Sequence, residues 1–179
     1  MYYRNALDKT GECSRMGEFA ELTFGSLLSQ KGKVRIANRS EQMNHIDFIL
    51  THPDGKQTKY DVKARKRVSR SDNSVSDDRV WIEFLNINGD FGWLYGHSDY
   101  LVFERNEDFL IVSRLVLQKF AEEKCDLKQM VTSSSNALYV GYRRAGRGDL
   151  LSMVKTSDIA KIAQEIWSKV SIDKSTSPC

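Results

Sequence analysis

The sequence predicts an α/β protein with a central mixed β-sheet flanked by helices. Short apolar segments bounded by turn residues recur between residues 33 and 114, and segments with helical spacing precede and follow them. The 179 residues, with 40% hydrophobic content, suffice for one sizeable core. We therefore expect a single domain over residues 1–179, with its core at about 15–120.

The first element is a predicted helix over about residues 15–30. Gly32 follows it as a stop signal, and the segment KVRIA at 33–37 is a predicted short strand. The helix is predicted from apolar residues at roughly helical spacing. They are Phe19, Leu22, Phe24, Leu27 and Leu28.

A β-hairpin is predicted next. The segments HIDFILTH at 45–52 and QTKYDVKAR at 57–65 are both strand-like. Between them stands PDG, a turn signal in which Pro53 sets φ and Gly55 tolerates positive φ. The polar stretch VSRSDNSVSDDR at 68–79 then predicts an exposed loop.

The second half of the chain continues with strands and helices. A final helix is predicted over about 156–170, with Thr156 or Ser157 as its cap and a frayed tail behind it. Its apolar face would consist of Ile159, Ile162, Ala163, Ile166, Trp167 and Val170. Before it we predict strands in VWIEFLNI (80–87), DYLVFE (99–104) and DFLIVSR (108–114), and a helix in LVLQKFAEEK (115–124).

The cysteines and the apolar segments bear on the compartment. Cys13, Cys125 and Cys179 are far apart and show no CxxC spacing, so neither a disulfide framework nor a zinc site is indicated. No segment resembles a secretory signal or approaches the length that spans a bilayer. We expect a cytoplasmic protein that does not bind membranes.

Positive charge is concentrated in residues 56–70. This stretch holds seven Lys or Arg residues against one Asp, whereas the net charge of the whole chain is only +3. A local positive field suits a polyanion-binding groove, although a solvated strand end and loop would read the same way. The candidates for contacts with nucleic acid are Arg65, Lys66, Arg67 and Arg70, together with Arg143 and Arg144 in the basic loop at 141–149.

The hairpin places a carboxylate in each of its strands. Because side chains alternate along a strand, Asp61 and Lys63 share one face, and Asp47 of the preceding strand is expected beside Asp61. Two neighbouring carboxylates that lose hydration are unfavourable unless a cation or a shared proton offsets them. Mg²⁺ is the simplest remedy, since it prefers oxygen ligands, and the Val62 carbonyl is a further candidate ligand.

Lys63 would then act beside the metal. It could orient or help deprotonate an attacking water, or stabilise charge on a phosphorane in the transition state. The alternative is an exposed ion pair between Asp61 and Lys63 that contributes little to stability. His45 shares the predicted face of Asp47, and Glu83 would line the site if its strand is adjacent.

At these residues the chain resembles the PD-(D/E)xK nuclease superfamily, whose motif is an acid on one strand and acid-x-Lys on the next. Asp47 supplies the first acid, and DVK supplies Asp61 and Lys63. Ile46 stands where the proline of the name would be.

The upstream helix adds to the resemblance. GEFAE, with Gly17 and Glu21, is similar to the Gly-x-x-x-Glu pattern of archaeal-type Holliday-junction resolvases. This makes Glu21 a candidate metal ligand, with Glu18 as the second choice. The resemblance covers about residues 15–66 and implies a restriction-endonuclease-like αβββ core.

The resemblance implies a Mg²⁺-dependent endodeoxyribonuclease in which Mn²⁺ can substitute. Its catalytic residues would be Glu21, Asp47, Asp61 and Lys63. DNA would be the partner, with selectivity for branched structures, and a homodimer would allow two strands to be cut. The alternatives are a restriction or repair nuclease and a non-catalytic nucleic-acid-binding module on the same fold.

Overall fold

The computed structural model describes residues 11–68 and 75–169. These residues form four α-helices and ten strands. The helices are α1 (Glu12–Ser29), α2 (Arg39–Met43), α3 (Arg114–Lys124) and α4 (Thr156–Ile162). The strands are β1 (Lys33–Ile36), β2 (Phe48–Thr51), β3 (Gln57–Lys63), β4 (Arg79–Leu85), β5 (Tyr100–Glu104), β6 (Asp108–Ser113), β7 (Asp126–Val131), β8 (Val140–Tyr142), β9 (Leu150–Lys155) and β10 (Glu165–Ser168).

Six strands form the larger sheet, in the order β1-β2-β3-β5-β6-β10. The first three make an antiparallel meander, as the hairpin prediction required. β3 then runs parallel to β5, while β5–β6 and β6–β10 are antiparallel. The larger sheet is therefore mixed, and β3 lies in its interior with a partner on each side.

The other four strands form a smaller mixed sheet in the order β4-β9-β8-β7. β4 pairs antiparallel with β9, whereas β8 runs parallel to β7. The prediction of one central sheet that includes β4 was wrong: β4 lies in the smaller sheet, where it pairs with β9. β7 and β9 were not among the predicted strands.

The larger sheet is covered on both faces. On one face Phe24 of α1 packs its ring against Tyr60 and Phe109, with centroids 5.5 Å apart in each pair. On the other face Leu101 and Phe103 belong to a second apolar cluster that includes residues of β4, α3 and α4. Helices and a second sheet therefore flank the larger sheet, which confirms the general α/β class.

The predicted helix at 156–170 was wrong in its second half. α4 ends at Ile162, and the chain then forms β10, which pairs with β6 at the edge of the larger sheet. The strand period separates two residues that the helix would have placed on one face: Trp167 stacks on Phe24 at 5.4 Å, whereas Ile166 is 55% exposed. The apolar pattern was compatible with either period, and pairing with β6 decided between them.

Two smaller expectations also differ from the structure. Lys155 is the N-cap of α4, no side chain caps this helix, and Thr156 is its first residue. The short helix α2 between β1 and β2 was not predicted. Val170, the tail after it and Arg70 lie outside the described residues. None of the helices in residues 11–68 and 75–169 is long and apolar enough to cross a membrane.

Candidate active site

The hairpin brings Asp47 and Asp61 together. Phe48 pairs with Tyr60, so Asp47 comes one residue before β2 and opposite Asp61. The Asp47 backbone N–H donates to the Tyr60 carbonyl at 2.8 Å, and the Asp47 carboxylate accepts a 2.7 Å hydrogen bond from the Val62 N–H. The backbone of β3 therefore holds both ends of Asp47.

Asp61 is a buried carboxylate, with only 2% of its surface exposed. Its Oδ1 accepts a 2.6 Å hydrogen bond from the ammonium of Lys63, but its Oδ2 has no donor among the described residues. Burial raises the pKa of Asp61 to about 8, the nearby Asp47 adds to the rise, and Lys63 opposes it. The site therefore holds one carboxylate oxygen that is buried and unsatisfied.

Lys63 lies between a carboxylate and an aromatic ring. Its Nζ is 2.6 Å from Asp61 and 5.1 Å from the centroid of the Trp93 ring, within cation–π range. Burial acts to lower the pKa of Lys63, but Asp61 and Asp47 outweigh it and the pKa is raised. The ammonium is thus held charged at a fixed place, as a group that contacts a phosphate needs.

No pattern in the amino-acid sequence indicated that Trp93 would contact Lys63. Trp93 is the first residue of a single 3₁₀ turn, Trp93–Tyr95. Its buried ring packs against Phe103 of β5. The backbone N–H of Trp93 donates to Glu83 at 3.4 Å. Glu83 belongs to the smaller sheet, yet its charge contributes to raising the pKa of Lys63. Glu83 is therefore near the site, although its strand is not in the larger sheet.

Glu21 approaches the hairpin from α1. This helix packs against Tyr60 and Val62, on the face of β3 opposite to Asp61 and Lys63. Burial raises the pKa of Glu21 to about 7, and Asp47 adds to the rise while Lys63 opposes it. Glu21 is therefore electrostatically coupled to Asp47 and Lys63. Glu18 makes only the smallest contribution to the raised pKa of Glu21.

His45 lies two residues before Asp47 and has an unusual backbone conformation. Its φ is 58°, a left-handed value that costs energy for a residue other than glycine. A Cβ on Gly96 would lie 2.7 Å from the Cβ of His45, so only glycine fits there. Burial lowers the pKa of His45 to about 4, Lys63 lowers it further, and Asp47 opposes this. The imidazole is therefore neutral at pH 7.

The donor set of the site suits Mg²⁺ in chemistry. The unsatisfied Asp61 Oδ2 and the adjacent Asp47 are carboxylate oxygens, which Mg²⁺ prefers. As placed, no group of three or more His, Cys, Asp or Glu side chains within residues 11–68 and 75–169 could hold a metal ion. Ligation of a metal ion by Asp47, Asp61, Glu21 and the Val62 carbonyl therefore stays a prediction.

The basic candidates differ in their surroundings. Arg65 lies two residues after the end of β3 and donates to Asp77 at 3.3 Å, and Lys66 and Arg67 follow it in the chain. Arg143 is exposed, and its guanidinium donates to the Gly148 carbonyl at 3.1 Å. Arg144 forms an ion pair with the fully buried Asp149, so its side chain is part of the loop structure.

Comparisons of the chain with known families, with curated proteins and with solved structures found no match. The geometry of Asp47, Asp61, Lys63 and their neighbours is therefore the basis for a functional argument.

Proposed function

We propose that the chain is a metal-dependent endonuclease that hydrolyses phosphodiester bonds in DNA. The observation that carries this proposal is the buried Asp61 carboxylate. One of its oxygens binds Lys63, the other has no donor, and a second carboxylate, Asp47, lies beside it. Such a group is costly in a purely structural role, because burial favours neutral carboxyls and satisfied oxygens.

The residues that would hold Mg²⁺ are Asp47 and Asp61, with Glu21 as the third carboxylate and the Val62 carbonyl as a further ligand. Bound there, the ion would neutralise charge on a phosphate and lower the pKa of a water molecule. Positive charge in this position would also favour the ionised forms of Asp61 and Glu21, whose pKa values are raised in the metal-free chain.

Lys63 is assigned to the chemical step. Its ammonium is held by Asp61 and Trp93, and from there it can orient the attacking water or donate to an oxygen of the phosphate as negative charge develops. The oxygen of the water bonds to phosphorus, and the bond from phosphorus to the 3′ oxygen breaks. By the resemblance, the products are a 5′-phosphate and a 3′-hydroxyl, and the leaving oxygen takes up a proton.

The proposed substrate is DNA read mainly through its backbone. Lys63 is followed by Arg65, Lys66 and Arg67, and guanidinium and ammonium groups suit contacts with phosphates. Phosphate contacts report the shape of a nucleic acid more than its base sequence. Together with the resemblance to Holliday-junction resolvases, this makes a four-way junction the first substrate to test, ahead of restriction-type or repair-type targets.

A non-catalytic nucleic-acid-binding module is the second candidate. Two observations favour it: Lys63 already occupies an oxygen of Asp61, and the described residues offer no ready-made group of three metal ligands. A chain with this function would use the basic residues to bind DNA without cutting it.

Cleavage assays distinguish the two candidates. Labelled four-way junction, flap, linear duplex and single-stranded DNA are incubated with Mg²⁺ or Mn²⁺ and either the parent or a variant. We expect metal-dependent cutting by the parent. Lys63→Ala and Asp61→Asn should each lower the rate by a factor of about a hundred or more, because each removes a group that acts on the reacting phosphate.

Lys119→Ala is the matched control, because it removes an exposed lysine of α3 that forms only a loose ion pair with Glu123, at 3.9 Å. It should cut at the parental rate. The binding-module candidate gains if the parent cuts none of the four substrates while the parent, Lys63→Ala and Asp61→Asn all bind DNA equally tightly.

A further inference from the structure

A cleft opens beside Lys63, between the end of β3 and the beginning of β4, where the two sheets adjoin. Because Lys63 lines one part of it, the cleft is continuous with the candidate active site. One wall is the chain that leaves β3, and the other is the start of β4. The lining residues that bear on its chemistry are Lys63, Arg65, Arg79, Trp81, Glu104 and Thr156.

The charges that line the cleft are mainly positive. The lining holds Lys63, Arg65, Lys66 and Arg79 with a single carboxylate, Glu104. Two carboxylates outside the lining also bind these cations: Asp61 pairs with Lys63 and Asp77 with Arg65. Glu104 already accepts hydrogen bonds from the Lys169 ammonium at 2.8 Å and from the Arg65 backbone N–H at 3.2 Å. The guanidinium of Arg79 donates to a neutral backbone carbonyl at 3.4 Å, so its charge is not compensated by that contact. The cleft therefore favours an anion.

Two buried donors in the cleft have no acceptor. Within the described residues, four buried side-chain polar atoms have no hydrogen-bond partner, and two of them belong to cleft residues: Nε of Arg65 and Oγ1 of Thr156. Thr156 is only 4% exposed, and its hydroxyl does not cap α4. An orphaned buried donor is costly, so an unpartnered N–H and an unpartnered O–H on two residues of one cationic cleft indicate a ligand with acceptor oxygens.

We propose that this cleft binds a second phosphate of the substrate strand, next to the phosphate that is cut. The inference rests on the proposed function, because Lys63 supplies the connection between the two phosphates. The Arg65 Nε and the Thr156 hydroxyl donate to the phosphate oxygens, and Arg79 supplies charge from the opposite wall. The half-buried indole ring of Trp81 lines the same cleft and offers apolar surface to the sugar or base.

Thr156→Val tests the proposal, because valine keeps the branched shape and removes only the hydroxyl. Binding of a short fluorescent single-stranded oligodeoxynucleotide is measured by anisotropy in EDTA, and stability by denaturant unfolding. We expect binding to weaken by about tenfold, the effect of one hydrogen bond to a charged group. Stability should be unchanged or higher, because the hydroxyl has no partner in the free chain.

Ser98→Ala is the matched control. Ser98 is 2% exposed, its hydroxyl is also buried without a partner, and it does not line the cleft. This variant should bind like the parent. Arg79→Gln should weaken binding and reduce the slope of log affinity against log salt by about 0.7, the value for one phosphate of a single strand.

The proposal is overturned if Thr156→Val binds like the parent, or if Ser98→Ala weakens binding equally. Inorganic phosphate is the second arm: if it displaces the oligonucleotide as well as a competing strand does at equal phosphate concentration, the cleft takes free phosphate and not a strand. Cleavage by the same proteins separates this result from the proposed function. If the parent binds DNA without cutting it and Thr156→Val binds more weakly, the cleft proposal is supported and the nuclease proposal is contradicted.

Discussion

Asp61 and Glu21 are carboxyl groups whose ionised forms are disfavoured in the folded chain. Burial is the largest cause for both, and the charge of Asp47 adds to it. Lys63 offsets part of this cost, but one ammonium cannot satisfy three carboxylates. At the scale of the residue, the site gives up stability in return for a negative potential that a metal ion could use.

The pH dependence of stability follows from Glu21. Its pKa is about 7 in the folded chain against an ordinary value of 4.5 for glutamate, so the folded state holds a proton that the unfolded state releases between these values. Stability is therefore lost as pH rises from about 4 to above 7. Glu21→Gln cannot ionise, so it should unfold like the parent near pH 4 and be more stable by on the order of 1–2 kcal/mol near pH 8.

Urea unfolding of both proteins at the two pH values, in EDTA, measures this difference. An equal difference at pH 4 and pH 8 would contradict the raised pKa. Added Mg²⁺ should then stabilise the parent more than Glu21→Gln at pH 8, if Glu21 binds the ion.

The short helix α2 lies just before the hairpin and helps to position Asp47 at the start of β2. Asn38 and Glu41 form a capping box in which the Asn38 side chain accepts from the Glu41 N–H at 3.0 Å and Glu41 accepts from the Asn38 N–H at 2.8 Å. Both carboxylate oxygens of Glu41 also bind the guanidinium of Arg35 in β1, at 2.6 and 2.7 Å. Arg35, followed by Asn38, lowers the pKa of Glu41 to about 2. These contacts fix the turn that leads to His45.

Removing this cap should destabilise the element. Asn38→Ala is expected to lower the free energy of unfolding by about 1 kcal/mol, because the N–H of Glu41 loses its acceptor. Asn38→Asp keeps an acceptor in the same place and should stay close to the parent. Thermal unfolding of the three proteins tests this, and an Asp variant as unstable as the Ala variant would argue against the cap.

At the scale of the whole molecule, the larger sheet is stabilised by α1 on one face and the second layer on the other. β10 extends this arrangement, because Trp167 pairs with Phe109 in the ladder and stacks on Phe24 of α1. The last described strand thus covers the outer edge of β6 and contributes to the same core that supports the hairpin acids.

Two neighbouring substitutions distinguish the strand from the helix that the sequence predicted. Trp167→Ala should cost about 2 kcal/mol or more, because it removes a ring from the aromatic core. Ile166→Thr should change the free energy of unfolding by less than about 0.5 kcal/mol, since Ile166 is largely exposed. In a helix both residues would lie on the buried face, so comparable losses in denaturant unfolding would contradict the strand.

Elements whose apolar pattern allows only one period could be predicted from the amino-acid sequence. The spacing of Phe24, Leu27 and Leu28 predicted α1, and the alternation on either side of PDG predicted the hairpin and its register. From that register alone, Asp47 was expected beside Asp61, with Lys63 on the same face as Asp61. Local spacing carried this information because hairpin partners are close in the chain.

The pairings between distant segments could not be predicted and depend on three-dimensional packing. Three examples join residues that no local period relates. β4 pairs with β9, residues 165–168 form an edge strand on β6, and the Lys63 ammonium lies over the Trp93 ring. The cleft at Thr156 has the same origin, because it brings the start of α4 beside the end of β3, which is distant in the chain. Burial of apolar surface in the assembled layers selects such contacts.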